Sequence, residues 1–432
     1  MKKLIIVLIG LCLIAAVVFG VVSMRGGEEN PTAADAGIAG VDPVEEGWVM
    51  DEIGPLDEVP SAADAVTGAV TPAPEAEEEA VRRVDFEALY ALHDPDEKVL
   101  SINGKEECWG DYFYILYTQA EQIENYFDSM AMYYGMRFSW DDPVEENGTS
   151  TYAEAVVESA ENLVKQLAAL EGFAEENGIE ISEELRATIE SQKQADIVSV
   201  LGEEGTADAF FEYLEGLYLS PEMYDRAVTQ NVLYQECFNS LYGANAEKIS
   251  DETALNYLNE NGYVSAAHIL FLYNDPESGE ARDEETLAAK KAKLESIVKE
   301  LRSYADKHAR KKAFLKYAEE LSEDGGGKNY YPKGYTYTPG TMVSQFEDAV
   351  NALAEYEVSD VVETDYGYHI IMRLPLSADA VVELNSSTGE PRTAKMLFAN
   401  QDYGNRLQAY SDSLQVEWLP GCEAPVLTDY IR

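Results

Sequence analysis

The chain has 432 residues, with 81 Asp plus Glu against 31 Lys plus Arg and a formal charge of −50. A field of that sign repels nucleic acid and anionic lipid surfaces, so nucleic-acid binding is excluded and a solvated acidic face is the plain reading of the charge. Four cysteines match no zinc spacing; with Cys12 in an apolar run, the remaining Cys108, Cys237 and Cys422 leave room for one disulfide and exclude a disulfide framework.

In chain order, Lys2 and Lys3 precede an uncharged, almost wholly apolar run from Leu4 to Met24. As a helix rising about 1.5 Å per residue, it matches a hydrocarbon core of roughly 30 Å. Residues 1–25 are therefore expected to be a transmembrane anchor or a signal peptide. The lysines put the amino terminus in the cytoplasm and the rest of the chain outside. Val21-Val22-Ser23 is a weak cleavage site, and Leu11 stands where a lipoprotein signal needs a small residue before Cys12, so an uncleaved single-pass anchor is expected. Residues 26–97 are rich in Ala, Glu, Pro, Gly and Asp, and no basic residue lies between Arg25 and Arg82. With so little apolar surface to offset the entropy of ordering, an acidic disordered stalk is expected there, spanning on the order of 40 Å as a coil.

Residues 98–258 read as a mainly helical domain. Val99 to Lys105 predicts a short strand and an Asn-Gly turn, and a helix pattern starts near Asp111. Thr151 and Glu154 form a Thr-x-x-Glu capping box ahead of a helix to Asn177, and Ser182 opens another to Leu201. Stretches 206–217 and 222–242 complete the array. Its tyrosines, including Tyr112, Tyr114, Tyr117, Tyr126, Tyr133 and Tyr134, fit core packing first and an adaptable surface for unfolded chain second.

Residues 259–376 change character. Val264 to Tyr273 predicts a central strand with Ala266, His268, Leu270 and Leu272 on one face, followed by helices over 284–307, 311–321 and 342–353 and strands over 358–362 and 368–374. Phe314, Ala318 and Leu321 make one helical stripe. Residues 377–432 return to a polar loop, a helix over 393–414 and a closing strand ending at Trp418.

Two histidine-centred strands, Ala267-His268-Ile269-Leu270 and Tyr366-Gly367-Tyr368-His369-Ile370-Ile371, flank the segment Gly340-Thr341-Met342-Val343-Ser344-Gln345-Phe346. This pattern resembles the parvulin peptidyl-prolyl cis-trans isomerases, and the Val-x-x-Ile-Asn-Gly strand before Tyr112-Phe113-Tyr114 is similar to the opening of extracytoplasmic foldases of the PrsA and SurA kind. The resemblance implies an α+β fold: a parvulin-like domain of antiparallel sheet and surrounding helices in the order β-α-α-α-β-β, inserted in a helical chaperone domain on which 377–432 folds back. It implies His268 and His369 as the paired central histidines, Thr364 as the hydroxyl that bonds one of them, and Asp324 where other members hold cysteine or aspartate. Met342 and Phe346 would form the cup for the proline ring.

Two departures accompany the resemblance. The family's glycine-rich loop is here Gly325 to Tyr335, with Tyr335 or Tyr337 as the replacement for its aromatic wall, and the glycine before the penultimate strand is replaced around Tyr356. An aspartate at 324 argues against a covalent nucleophile and for electrostatic tuning of the histidine pair. No cofactor or metal is implied. The partners implied are unfolded or partly folded exported polypeptides, the membrane through the N-terminal span, and a second copy in a homodimer. Two functions remain open: an isomerising foldase at the bacterial cell membrane, or a holdase in which the parvulin domain is a catalytically idle scaffold.

Overall fold

The computed structural model describes residues 83–134, 136–145, 148–329, 331–385 and 389–432. The expected anchor at 1–25 and most of the expected stalk lie outside the described residues; among those described, no helix is long and apolar enough to cross a membrane.

Order begins earlier than the composition of 26–97 suggests. Val84 bridges to Ile431, and Asp85 caps a short helix α1 (Phe86–Tyr90) that buries Leu89. This corrects the expected stalk, because partners at the far end of the chain supply the apolar contacts that the segment itself lacks. Strand β1 (Lys98–Ile102) turns at Asn103 and Gly104, both at positive φ, into β2 (Lys105–Cys108), which the charged run Lys105-Glu106-Glu107 conceals from a pattern reading. Helices α2 (Trp109–Tyr134), α3 (Tyr152–Glu176), α4 (Glu183–Leu201), α5 (Ala207–Glu215), α6 (Pro221–Tyr242) and α7 (Asp251–Glu260) follow. The Thr151–Glu154 capping box forms in full, and Ser182 accepts from Leu185 N as expected.

The isomerase-like segment is a four-stranded antiparallel sheet. Its strands are β3 (Val264–Leu272), β4 (Tyr335–Tyr337), β5 (Val362–Glu363) and β6 (Gly367–Leu374), in the spatial order β4-β3-β6-β5. On one face, Ala267, Ile269, Phe271, Ile370 and Met372 pack on α8 (Glu284–Ser303) and α9 (Lys307–Leu321), with Phe314 fully buried. On the other, Ala266 and Ile371 meet Tyr335, Tyr337, Phe346 and Val350, the last two on α11 (Ser344–Ala352). The order β-α-α-α-β-β needs correction. A five-residue helix α10 (Gly325–Asn329) and the strand β4 stand between α9 and α11, and Met342 lies before α11 rather than within it.

Beyond the sheet come a hairpin of β7 (Val381–Leu384) and β8 (Pro391–Thr393), then helix α12 (Ala394–Ser413) and strand β9 (Val416–Trp418). Strand β9 pairs antiparallel with β1, and Ala399 and Tyr403 of α12 enter a core with Phe173, Leu233 and Phe238. The segment 377–432 thus completes the helical region, and the sheet of residues 264–374 is inserted between its two parts. Cys108, Cys237 and Cys422 are all free, so the one disulfide left open by the sequence is not formed.

Candidate active site

Because β3 and β6 pair in the register His268↔Ile371 and Leu270↔His369, the two histidines sit diagonally on one face of adjacent strands. Their Nδ1 atoms are 3.2 Å apart. Strand β4 is short and pairs only with the first part of β3, so the backbone further along that edge needs other partners. The loop after α9 provides them. Ser322 Oγ accepts from Leu270 N, Glu323 N donates to Leu270 O at 2.8 Å, and the Glu323 carboxylate accepts from Leu272 N. Arg282 and Lys290 hold that carboxylate in turn. The next residue, Asp324, is thereby delivered to His268, with 2.6 Å between Oδ2 and Nε2.

The result is a row of hydrogen bonds. Tyr335 Oη donates to Asp324 Oδ2 at 2.7 Å, Asp324 meets His268, His268 meets His369, and His369 Nε2 lies 2.9 Å from Thr364 Oγ1. Burial alone would raise the Asp324 carboxyl, but its hydrogen bond and charge interaction with His268, helped by Tyr335 and the Gly327 N–H, outweigh burial and hold it at about 2. For His369, burial and the neighbouring His268 lower the pKa to about 3, against a smaller opposing pull from Asp324. At neutral pH the carboxylate is therefore ionised and His369 neutral.

The ionised carboxylate fixes the first proton of the row. Asp324 can only accept, so His268 donates to it from Nε2; the contact between the two Nδ1 atoms carries one proton between the rings, and His369 Nε2 shares a hydrogen bond with the Thr364 hydroxyl. Thr364 Oγ1 also accepts from Tyr366 N at 3.2 Å. All four ring nitrogens are committed within the protein, so the histidines form a polarised platform with no ring nitrogen left over for a substrate proton. Asp324, only 5% exposed, lies behind His268 and acts through it.

Above the platform the surroundings are aromatic. Phe346 stands edge-on to both imidazoles, with centroids 5.4 Å from His268 and 6.0 Å from His369. Met342 and the buried Tyr337 pack in the same cluster. The expected roles of Tyr335 and Tyr337 divide: Tyr335 is bonded to Asp324 and stacked on Tyr331 at 4.6 Å, while the buried Tyr337 hydroxyl has no hydrogen-bond partner among the described residues. An open cavity of about 930 Å³ adjoins the row, lined among others by His268, Asp324, Tyr331, Tyr335, Lys312 and Lys316. Gly327 permits this closeness, since a Cβ there would stand 2.5 Å from Asp324 Oδ2. Tyr356 occupies the expected glycine position with φ +65, its backbone held by Arg373 O and the Arg310 guanidinium.

All seven residues singled out in the sequence, His268, Asp324, His369, Thr364, Met342, Phe346 and Tyr335, come together here. Sequence reasoning missed Ser322, Glu323, Arg282 and Tyr331. Only the acidic Ser322-Glu323-Asp324 turn after an amphipathic helix could have signalled the first two.

The arrangement is that of a parvulin-type domain, and residues 268–374 match the rotamase family, the PPIC-type PPIASE domain. The relatives are foldases and chaperones. The chain is 45% identical over 80 residues to the foldase protein PrsA of Geobacillus kaustophilus, an alignment covering 18% of this chain and 27% of that protein. It is 36% identical over 104 residues to the chaperone SurA of Burkholderia thailandensis, covering 24% and 21% respectively. The chain thus aligns with only a fifth to a quarter or so of these curated relatives' length. Among solved structures, PrsA from Bacillus subtilis shares 19% identity over 62% of this chain and 89% of that one, with a TM-score of 0.23.

Proposed function

We propose that this chain is a membrane-anchored extracytoplasmic foldase that isomerises X-Pro bonds in exported polypeptides, with the helical region holding unfolded client chain. The observation that carries the reading is the hydrogen-bonded row from Tyr335 to Thr364 lying beneath the Phe346 ring. An X-Pro bond has little preference between its isomers but a barrier of about 20 kcal/mol, because rotation breaks amide resonance. No bond to another atom is made, so a catalyst must bind the twisted amide better than either planar form. Phe346 and Met342 would grip the proline ring. The platform, with its fixed dipoles and an ionised Asp324 behind it, would favour a carbonyl turned out of conjugation. His268, His369 and Thr364 then act as parts of that platform, and Asp324 and Tyr335 as positioning residues.

A protease-free isomerisation assay over a set of X-Pro peptides tests this. The wild type is expected to accelerate exchange, and Phe346→Ala, checked for folding, is expected to lose most of it. No acceleration by the wild type would leave the holdase reading in its place. Anchoring has its own test: the mature protein is expected in the membrane fraction with Met1 retained, and a soluble form starting near Met24 would show a cleaved signal instead.

A further inference from the structure

Far from the histidine row, ligating side chains converge a second time. His93, Glu97 and Cys422 each offer one ligand atom, and the three atoms lie within 4.8 Å of one another. His93 Nδ1 is 3.2 Å from Glu97 Oε2, and Cys422 Sγ is 3.8 Å from Glu97 Oε1. In a tetrahedral zinc site with metal–nitrogen and metal–oxygen bonds of about 2.1 Å and metal–sulfur bonds of about 2.3 Å, a nitrogen and an oxygen stand roughly 3.4 Å apart and an oxygen and a sulfur roughly 3.6 Å. The imidazole holds that separation from one carboxylate oxygen, Oε2, and the thiol comes within a few tenths of an ångström of it from the other, Oε1, so a small turn of the carboxylate brings one oxygen to both.

The backbone on both sides is anchored independently of any ion. Glu97 N donates to Asp94 O, and Glu97 O accepts from Trp109 N at 2.8 Å. Across the sheet, Leu419 N donates to Val99 O and Cys422 N to Leu419 O. The Trp109 ring meets the His93 ring edge-on at 5.1 Å and is itself fixed by its indole N–H on Tyr90 O. The His93 and Cys422 side chains are sheltered, whereas Glu97 is 46% exposed, which leaves a way in from solvent.

We propose that His93, Glu97 and Cys422 form a site for a soft divalent cation of the zinc class, with solvent in the fourth position. Thiolate, imidazole and carboxylate suit that class of ion, and the two anionic ligands cancel its charge. On binding, the thiol gives its proton to solvent as the metal–sulfur bond forms. The site clips the turn after β9 to the entry of β1. Its ligands come from stretches 325 positions apart, which is why cysteine spacing along the chain shows no zinc pattern.

Titration of the metal-stripped full chain with Co2+ tests the site, because only a thiolate ligand gives a near-ultraviolet sulfur-to-cobalt charge-transfer band, whereas loose binding to the acidic surface does not. One equivalent is expected to saturate the band, and zinc to displace cobalt and raise Tm. Cys422→Ser is expected to abolish the band, and His93→Ala and Glu97→Gln to weaken affinity by about tenfold or more, with circular dichroism confirming that each variant is folded. The proposal is overturned if the wild type shows no band, if the band survives Cys422→Ser, or if folded His93→Ala and Glu97→Gln bind as tightly as the wild type.

Discussion

In the helical region buried charge joins segments far apart in sequence, whereas in the isomerase domain it runs side chain to side chain across one face of a sheet. Arg226 of α6 grips Glu107 of β2 through two nitrogens, at 2.7 and 3.0 Å across 119 positions, and Glu171 of α3 through Nε. Trp418 donates to Glu161, and the Tyr242 hydroxyl to Asp402. These clasps hold elements together and gather further donors, Lys105 and Gln230 on Glu171 and Arg406 on Asp402. The row from Tyr335 to Thr364 is built on the ionised Asp324, which orients His268 and, through it, the rest of the row. Pairs hold elements together; a row with a charged member orients a surface.

The largest expected effect separates the two arrangements. Arg226→Ala leaves Glu107, 4% exposed, buried without its partner, and removing one member of a buried ion pair costs about 3–5 kcal/mol. Chemical denaturation should show that loss, while X-Pro turnover per folded molecule stays unchanged. A parallel fall in turnover would mean that the two regions are energetically one.

A second effect belongs to the isomerase domain alone. His369 has a folded pKa of about 3, lowered by burial first and by His268 second, against an ordinary value of 6.5. Between those values the unfolded chain binds a proton that the folded one does not. Stability should therefore fall as pH drops from 6.5 towards 3, by up to about 1.4 kcal/mol per pH unit. Asp324 contributes fully above its ordinary 3.8, and that contribution disappears as pH falls towards about 2. Unfolding midpoints taken in pH steps check the sign, and His369→Gln should flatten the profile between pH 6.5 and 4.5.

Asp324→Asn should act on rate more than on folding, lowering X-Pro turnover about tenfold, which corresponds to about 1.4 kcal/mol. Nitrogen chemical shifts of the His268 ring would report the changed proton distribution in the ring, which a purely packing role would leave unaltered. The smallest effect concerns substrate charge. The loop after β3, Asn274 to Asp283, carries four acidic residues against one arginine, Arg282, which is occupied by Glu323 and Asp275. Matched peptide pairs with and without phosphate on the residue before proline should be turned over at nearly equal rates.

What the sequence made legible was what local chemistry decides. The caps at Thr151 and Ser182, the alternation in Val264 to Leu272 and the apolar stripe of α9 are written in neighbouring residues. The histidine pair and Phe346 were readable because a family pattern fixes their spacing. What stayed hidden depends on partners remote in sequence. Lys105 to Cys108 is a strand because Glu107 finds Arg226, Phe86 to Tyr90 is ordered because 430–432 pairs with 83–85, and Tyr335 to Tyr337 is too short for any periodicity to reveal. Glu323 reads as one more surface acid until the unpaired edge of β3 is seen to need it.

The pairing of β1 with β9 bears on the order in which the molecule can assemble. Gln415 N bonds to Asn103 Oδ1 across 312 positions, and Leu100 lies opposite Trp418. A chain emerging from its amino end must hold the first hairpin without its third strand until that distant stretch arrives, and contacts of such long range form slowly. The inserted sheet draws its strands from residues 264–374 and can close as soon as that stretch is available. The isomerase unit can therefore close without waiting for the end of the chain, whereas the sheet of the scaffold that carries it is complete only when Val416–Trp418 arrives.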